Sequence, residues 1–304
     1  MRRILPLLAA LVMLLSGCAG APEAGADFVI ACTTYPVYLL ANSIAGEMDG
    51  VEVSLVINQQ VSCLHDYALT VSDMKTLEHA DAVAINGAGL EDFLGDAVAG
   101  KNVIDCDEGI DLLRSEDEHG EEHEGQEHHH DGADPHIWMD PRAYAQMART
   151  LAQGLAALDE ENARRYLEQG ERVAEELEAF YLDLTQSEAA QQVQGREIIT
   201  FHDGFAYFAN AFGLHIAAAI EEEEGAEASA KELKRTIQIV EEEHLSAVFT
   251  EVNGSANAAR IIAGECGVET YPLSMVMSGS RGDTISAYEQ AITRNLETIM
   301  EAYQ

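Results

Sequence analysis

Basic side chains are scarce: the 304 residues hold 17 lysines and arginines against 54 aspartates and glutamates, for a formal charge of −37. A surface of that sign repels phosphate backbones and anionic headgroups, which excludes nucleic acid and the bare membrane surface as partners. It suits a protein that meets cations, although plain solubility accounts for most of it. The chain has no CxxC pair, which removes zinc ribbons and thioredoxin-type redox sites. It also lacks HExxH, the helix signature of zinc proteases: in His119-Gly120-Glu121-Glu122-His123 the glutamates stand in the wrong places. A long apolar run is missing too, since Ile4 to Leu15 is too short to span a bilayer comfortably. There are six prolines and a single tryptophan, Trp138, and two of the prolines, Pro135 and Pro141, flank that tryptophan.

What the first residues do hold is a leader. Arg2 and Arg3, the apolar run and Ser16-Gly17-Cys18 read as the basic, hydrophobic and small-residue regions of an export signal over residues 1–17. Leu15-Ser16-Gly17-Cys18 resembles a bacterial lipobox, which makes Cys18 the lipidated anchor and residues 18–27 a tether on the outer face of the cytoplasmic membrane. Loss of the leader takes away two arginines and no acid. Four cysteines remain, Cys32, Cys63, Cys106 and Cys266; outside the cytoplasm they could form two bridges, with three connectivities that the sequence does not decide.

A chain of this length outgrows one core, so two lobes are expected. Short apolar runs at Phe28 to Thr34, Val51 to Ile57, Ala82 to Ile85 and Asn102 to Asp105 read as strands. They alternate with helices that open at Tyr35 and cover Ser72 to Glu78 and Leu90 to Ala99. Apolar residues at three-to-four spacing then predict one long helix over Glu160 to Gln186, with Asp159 as its N-cap. At 1.5 Å per residue it reaches about 40 Å, a strut between lobes. Strand and helix alternate again from Glu197 to a final helix over Ile285 to Tyr303. The fold class is therefore α/β, with two parallel-sheet lobes joined by a single long helix. The expected boundaries are 28–158, 159–190 and 191–304, and ligands belong beyond the carboxyl ends of the strands, in the cleft between the lobes.

Eleven histidines carry the chemistry. His119, His123, His128, His129 and His130 lie in residues 116–131 among eight carboxylates, a stretch without the apolar side chains that would offset the entropy of ordering it. His79, His215 and His244 fall within or beside regular elements and read as surface or core residues. His65, His136 and His202 follow strand ends or sit in the proline-bounded turn, and each has an aspartate within two residues: Asp66, Asp134 with Asp140, and Asp203. A carboxylate there accepts the second ring N–H and fixes the tautomer of a ligating imidazole. Three neutral imidazoles suit zinc, or copper and nickel by affinity order, far better than magnesium or calcium, and geometry and availability favour zinc.

Three stretches are recognisable: Cys63-Leu64-His65-Asp66-Tyr67, Asp134-Pro135-His136-Ile137-Trp138-Met139-Asp140-Pro141, and Thr200-Phe201-His202-Asp203-Gly204-Phe205-Ala206-Tyr207-Phe208. They resemble successive motifs of the metal-specific solute-binding lipoproteins of bacterial ABC transporters, the ZnuA-like class, over nearly all of the mature chain. The resemblance implies two lobes joined by one long helix, with the ion held between them by a histidine from each motif. It implies a monomer, not an enzyme, that hands its ion to a membrane permease. Histidine at 202, with a His-rich acidic loop ahead of the second motif, is the pattern of zinc members rather than manganese members. The chain departs from the pattern twice: Leu64 stands where proline is usual, and Ser274 where the last strand's loop often supplies aspartate. Water, or else Glu251 at the end of a strand, is then the fourth donor. The alternatives are a manganese or other divalent-metal binder, a zinc-dependent adhesin or storage lipoprotein and, less consistent with a closed cleft, a zinc hydrolase.

Deleting Glu118 to His130 is expected to remove weak zinc equivalents and leave one tight site, as read by equilibrium titration. Loss of the tight site would make the loop the primary ligand.

Overall fold

The structure, a computed structural model, describes residues 26–58, 64, 67–114, 132–220, 229–254 and 256–304. The leader with Cys18, His65 with Cys63, and the histidine run of 116–131 lie outside these residues.

The first sheet starts at β1 (Phe28–Cys32), whose apolar side chains are progressively buried. Thr34 then caps α1 (Tyr35–Ala45), its hydroxyl accepting the Val37 N–H, with Pro36 in the first turn. β2 (Val51–Leu55) and α2 (Val71–His79) follow, the latter opened by a capping box in which Thr70 and Asp73 satisfy each other's backbone N–H. β3 (Ala82–Ile85) and β4 (Val103–Asp105) complete the sheet, which is parallel throughout in the order β2-β1-β3-β4. The helix expected over 90–99 is instead a 3₁₀ segment, Asp92–Val98, broken at Gly95 with φ 44° and ψ −125°. Only glycine adopts that backbone cheaply, and it interrupts the helix that the apolar spacing suggests.

Two antiparallel-packed helices lead to the second sheet. Asp140 caps α3 (Pro141–Leu158), and α4 (Ala163–Thr185) packs along it. Gly170 makes the close approach possible, since a Cβ there would run into Ala152. Asp159 does not cap α4 as expected. It terminates α3, and its carboxylate accepts Asn162 Nδ2 at 2.8 Å and Tyr166 Oη at 2.9 Å, while Asn162 takes the N-cap position. α4 stops at Thr185, and Ser187 caps the separate α5 (Glu188–Val193).

The second sheet repeats the first. β5 (Glu197–Thr200), α6 (Ala206–Phe212), β6 (His215–Ala219), α7 (Ala230–Glu242), β7 (Ala247–Glu251), α8 (Asn257–Cys266) and β8 (Glu269–Leu273) give a parallel sheet ordered β6-β5-β7-β8. The last helix is α9 (Ile285–Ala302). In both sheets the strand order reverses beside the first strand, between β1 and β3 and between β5 and β7, the switch point where open α/β sheets leave a crevice. Among the described residues no helix is long and apolar enough to cross a membrane.

One continuous apolar core runs from β1 and β3 through α1, α3 and α4 to α9 and β8, so the lobes share an interior. Trp138 sits fully buried at the junction: its Nε1–H donates to the Met275 carbonyl at 2.8 Å, and its own carbonyl accepts Tyr288 Oη at 2.8 Å. The segment after β8 straps onto α1, where Tyr35 Oη donates to Asp283 Oδ2 at 2.6 Å and Gly282 N donates to Tyr38 Oη at 2.8 Å.

The two-bridge arrangement that the four cysteines could form is absent. Cys32, Cys106 and Cys266 are all free, and any two-bridge pairing requires a bond between two of these three. Cys32 ends β1 and Cys106 follows β4, with β3 between them. Two inter-strand spacings come to about 10 Å, beyond disulfide reach. Cys266 belongs to the other lobe.

Trp138→Phe should cost about 2–4 kcal/mol of unfolding free energy, because it orphans the Met275 carbonyl and leaves a void. Urea titration with the midpoint unchanged would show that the junction does not depend on the indole.

Candidate metal centre

The proline-bounded turn aims one histidine across the junction. Asp134 Oδ1 accepts two bonds from His136, the backbone N–H at 2.9 Å and ring Nδ1–H at 2.8 Å. With its proton held at Nδ1, a neutral His136 presents a bare Nε2. The ring leans on Trp138 with centroids 5.3 Å apart, and the 3₁₀ turn Ile137–Met139 is wholly buried. Asp140, the other aspartate near this histidine, does different work: it caps α3 and pairs with Arg142 at 2.7 Å.

His202 answers from the second lobe, two residues past the end of β5. Its Nε2 lies 3.1 Å from His136 Nε2, with the rings edge to face and centroids 5.0 Å apart. Two nitrogens bound to one tetrahedral zinc at 2.0–2.1 Å are about 3.3 Å apart, so the pair is already within reach of a shared ion. Without one, a His202 ring N–H donated to the His136 lone pair fills the same geometry. Gly204 permits the approach: a Cβ there would meet the Met275 methyl and the Cδ2 atoms of both rings.

Glu251 closes β7, the strand that runs parallel to β5 with Thr200 opposite Phe249. The carboxyl is buried, Oε1 meets no hydrogen-bond partner among the described residues, and burial pushes its pKa up to about 8. It does not join the histidines in a compact cluster: among the described residues no three His, Cys, Asp or Glu side chains converge on one point. The structure therefore brings together His136 and His202 and leaves Glu251 at the end of β7, outside a compact cluster with them, while His65 lies outside the described residues. His79, His215 and His244 are exposed.

Sequence reasoning passed over the residues that hold this turn. Tyr207 Oη donates to the Asp134 carbonyl at 3.2 Å and accepts the Leu113 N–H at 2.9 Å; Asn86 Nδ2 donates to the Pro135 carbonyl at 2.9 Å. Asn86 follows a strand at a switch point and opens a glycine-rich turn, the one signal that pointed to it.

The family model described as zinc-uptake complex component A periplasmic (ZnuA) matches residues 30–302. The chain belongs to this family. Its members are divalent-metal-binding solute-binding proteins rather than enzymes. The zinc-binding lipoprotein AdcA of Streptococcus pneumoniae is 26% identical over 99% of this chain, which spans 61% of that protein's length. Of solved structures, a ZnuA crystal structure is 29% identical with a TM-score of 0.72, covering 88% of this chain and 99% of that one. FpvC of Pseudomonas aeruginosa in complex with Mn2+ is 26% identical with a TM-score of 0.73, covering 91% and 98% respectively.

Asp134→Ala should leave His136 without its Nδ1–H acceptor and weaken divalent-metal binding by about 10–100-fold in competitive titration. Affinity equal to the parent's would mean that ring orientation does not rest on this carboxylate.

Proposed function

We propose that this protein captures zinc outside the cytoplasm and delivers it to the membrane permease of an ABC importer. The observation that carries the reading is the pair of imidazole nitrogens, His136 Nε2 and His202 Nε2, brought to 3.1 Å from two lobes. Zinc is the cargo. His136 contributes from the first lobe and His202 from the second, His65 supplies the third nitrogen, and Glu251 or water the fourth donor. Residues 28–158 and 191–304 act as the two gripping lobes, with 159–190 between them. Cys18 carries the lipid anchor, and the monomer works at the outer face of the membrane.

Three nitrogen donors favour zinc over the oxygen-preferring cations. AdcA and the ZnuA structure support the same choice, by name as well as by likeness. Manganese is the second reading, because FpvC is similar in fold and sequence and has been solved with Mn2+. The histidine at 202 speaks against it, since a carboxylate there would suit manganese better. The five loop histidines, His119, His123, His128, His129 and His130, gather ions weakly ahead of the tight site.

Metal analysis of untagged protein, with zinc titrated against manganese on the parent and on His202→Ala, tests both readings. The parent should prefer zinc, and the variant should lose at least tenfold in zinc affinity. Equal or tighter manganese binding by the parent would overturn the zinc assignment. Deleting the gene should slow growth in a way that added zinc repairs, an outcome that an adhesin or a store would not produce.

A further inference from the structure

Past β3 the chain makes an unusual turn, Asn86-Gly87-Ala88-Gly89-Leu90-Glu91. Gly87, Ala88 and Gly89 have φ values of 90°, 53° and 80°, three successive residues in the region that favours glycine. Ala88 is strained there, and Asp107 Oδ2 holds it by accepting the Ala88 N–H at 2.6 Å. A side chain at Gly87 would collide with the Asp105 and Asp107 carboxylates. The turn folds Glu91 back beneath its own start: Oε1 accepts Thr33 Oγ1 and the Asn86 N–H, both at 2.7 Å, and Oε2 accepts the Gly87 N–H at 3.1 Å.

Neither Asn86 nor Glu91 belongs here on grounds of stability. Glu91 is buried with no cation against it among the described residues, and burial pushes its carboxyl up to about 7 in spite of the three bonds it accepts. Asn86 is wholly buried, and its Oδ1 meets no partner among the described residues. A buried amide oxygen left unmet costs free energy that a leucine would not.

The compensation lies 49 residues along the chain. The Pro135 carbonyl and the His136 N–H are the two polar ends of one peptide unit. Asn86 Nδ2 holds the first at 2.9 Å and Asp134 Oδ1 holds the second at 2.9 Å. A planar unit pinned at both ends fixes the direction in which His136 leaves the backbone, and the Pro135 ring removes freedom on its other side. We propose that Asn86, locked in place by the Glu91 carboxylate, is a positioning residue for His136, retained at a cost in stability so that the imidazole meets His202 across the junction. The affinity part of the test rests on the reading of His136 as a metal contact; the part read on metal-free protein does not.

Asn86→Leu in the full chain is the deciding variant. In metal-free protein, the His136 Nδ1–H proton resonance, assigned by its loss in His136→Gln, should broaden or exchange faster than in the parent. The thermal midpoint should change little, because the orphaned oxygen is gone while the Pro135 carbonyl loses its donor. Zinc affinity should fall about tenfold or more. A folded Asn86→Leu with an unchanged resonance overturns the proposal, and so does one with parental zinc affinity when His202→Ala is weakened. If His202→Ala binds zinc as tightly as the parent, the metal reading fails and the resonance alone judges the positioning. Should Asn86→Leu not fold, Glu91→Gln, which puts an amide where the Gly87 N–H needs an acceptor, must disturb the same resonance, and an undisturbed one overturns the proposal.

Discussion

The indole N–H of Trp138, donated to the Met275 carbonyl inside an apolar junction, is the bond on which the rest of the arrangement depends. Neither group meets water, so moving the lobes apart at this point would leave a donor and an acceptor unmet at about 1–3 kcal/mol each. Tyr288 on the Trp138 carbonyl and Tyr144 on the Pro36 carbonyl at 2.6 Å add bonds of the same kind. The acceptor side is fixed as firmly. Asn295 bonds both backbone groups of Ser274, and Ser274 Oγ accepts the N–H of Val276, a β-branched residue at φ 59°. Strain of that kind persists only where the surroundings over-determine it. His136, two residues before Trp138, is set on this frame and stands 3.1 Å from His202.

Charge acts at two ranges in this protein. The acidic surplus attracts any cation through solvent, an effect that ionic strength weakens and that does not distinguish one divalent ion from another. On the proposed reading, discrimination would fall to the few atoms at the junction, where imidazole nitrogens stand in place of carboxylate oxygens beside the buried Trp138 and Met275. Gathering and choosing would then be done by different residues, the first on the surface and the second in the interior.

Much of this was legible in the sequence because strands buried on both faces must be apolar throughout. Phe28-Val29-Ile30-Ala31-Cys32 and Ala82-Val83-Ala84-Ile85 can be little else, and His136 stands out between two prolines. The failures are of other kinds. Asp159 precedes a helical pattern and looks like its cap, yet nothing in the letters shows that α3 has only just ended there. Leu90 to Ala99 has helical spacing, and one glycine torsion cancels it. Cysteine pairing depends on how many strands intervene, which is topology rather than spacing. Asn86 and Glu91 escaped because a side-chain bond to a carbonyl 49 residues away has no period to detect.

The repeated topology sets a buried acid near the same strand of each sheet, with different surroundings. β3 and β7 hold the same place in their sheets, and each is followed or ended by a buried carboxyl that burial drives toward neutrality, Glu91 to about 7 and Glu251 to about 8. In the first lobe three donors converge on Glu91 and commit it to structure. In the second lobe Glu251 keeps an oxygen with no partner among the described residues, at the end of β7. A buried acceptor left unmet costs stability for as long as nothing meets it. On the proposed reading, a cation held between the imidazoles is the kind of charge that would meet it.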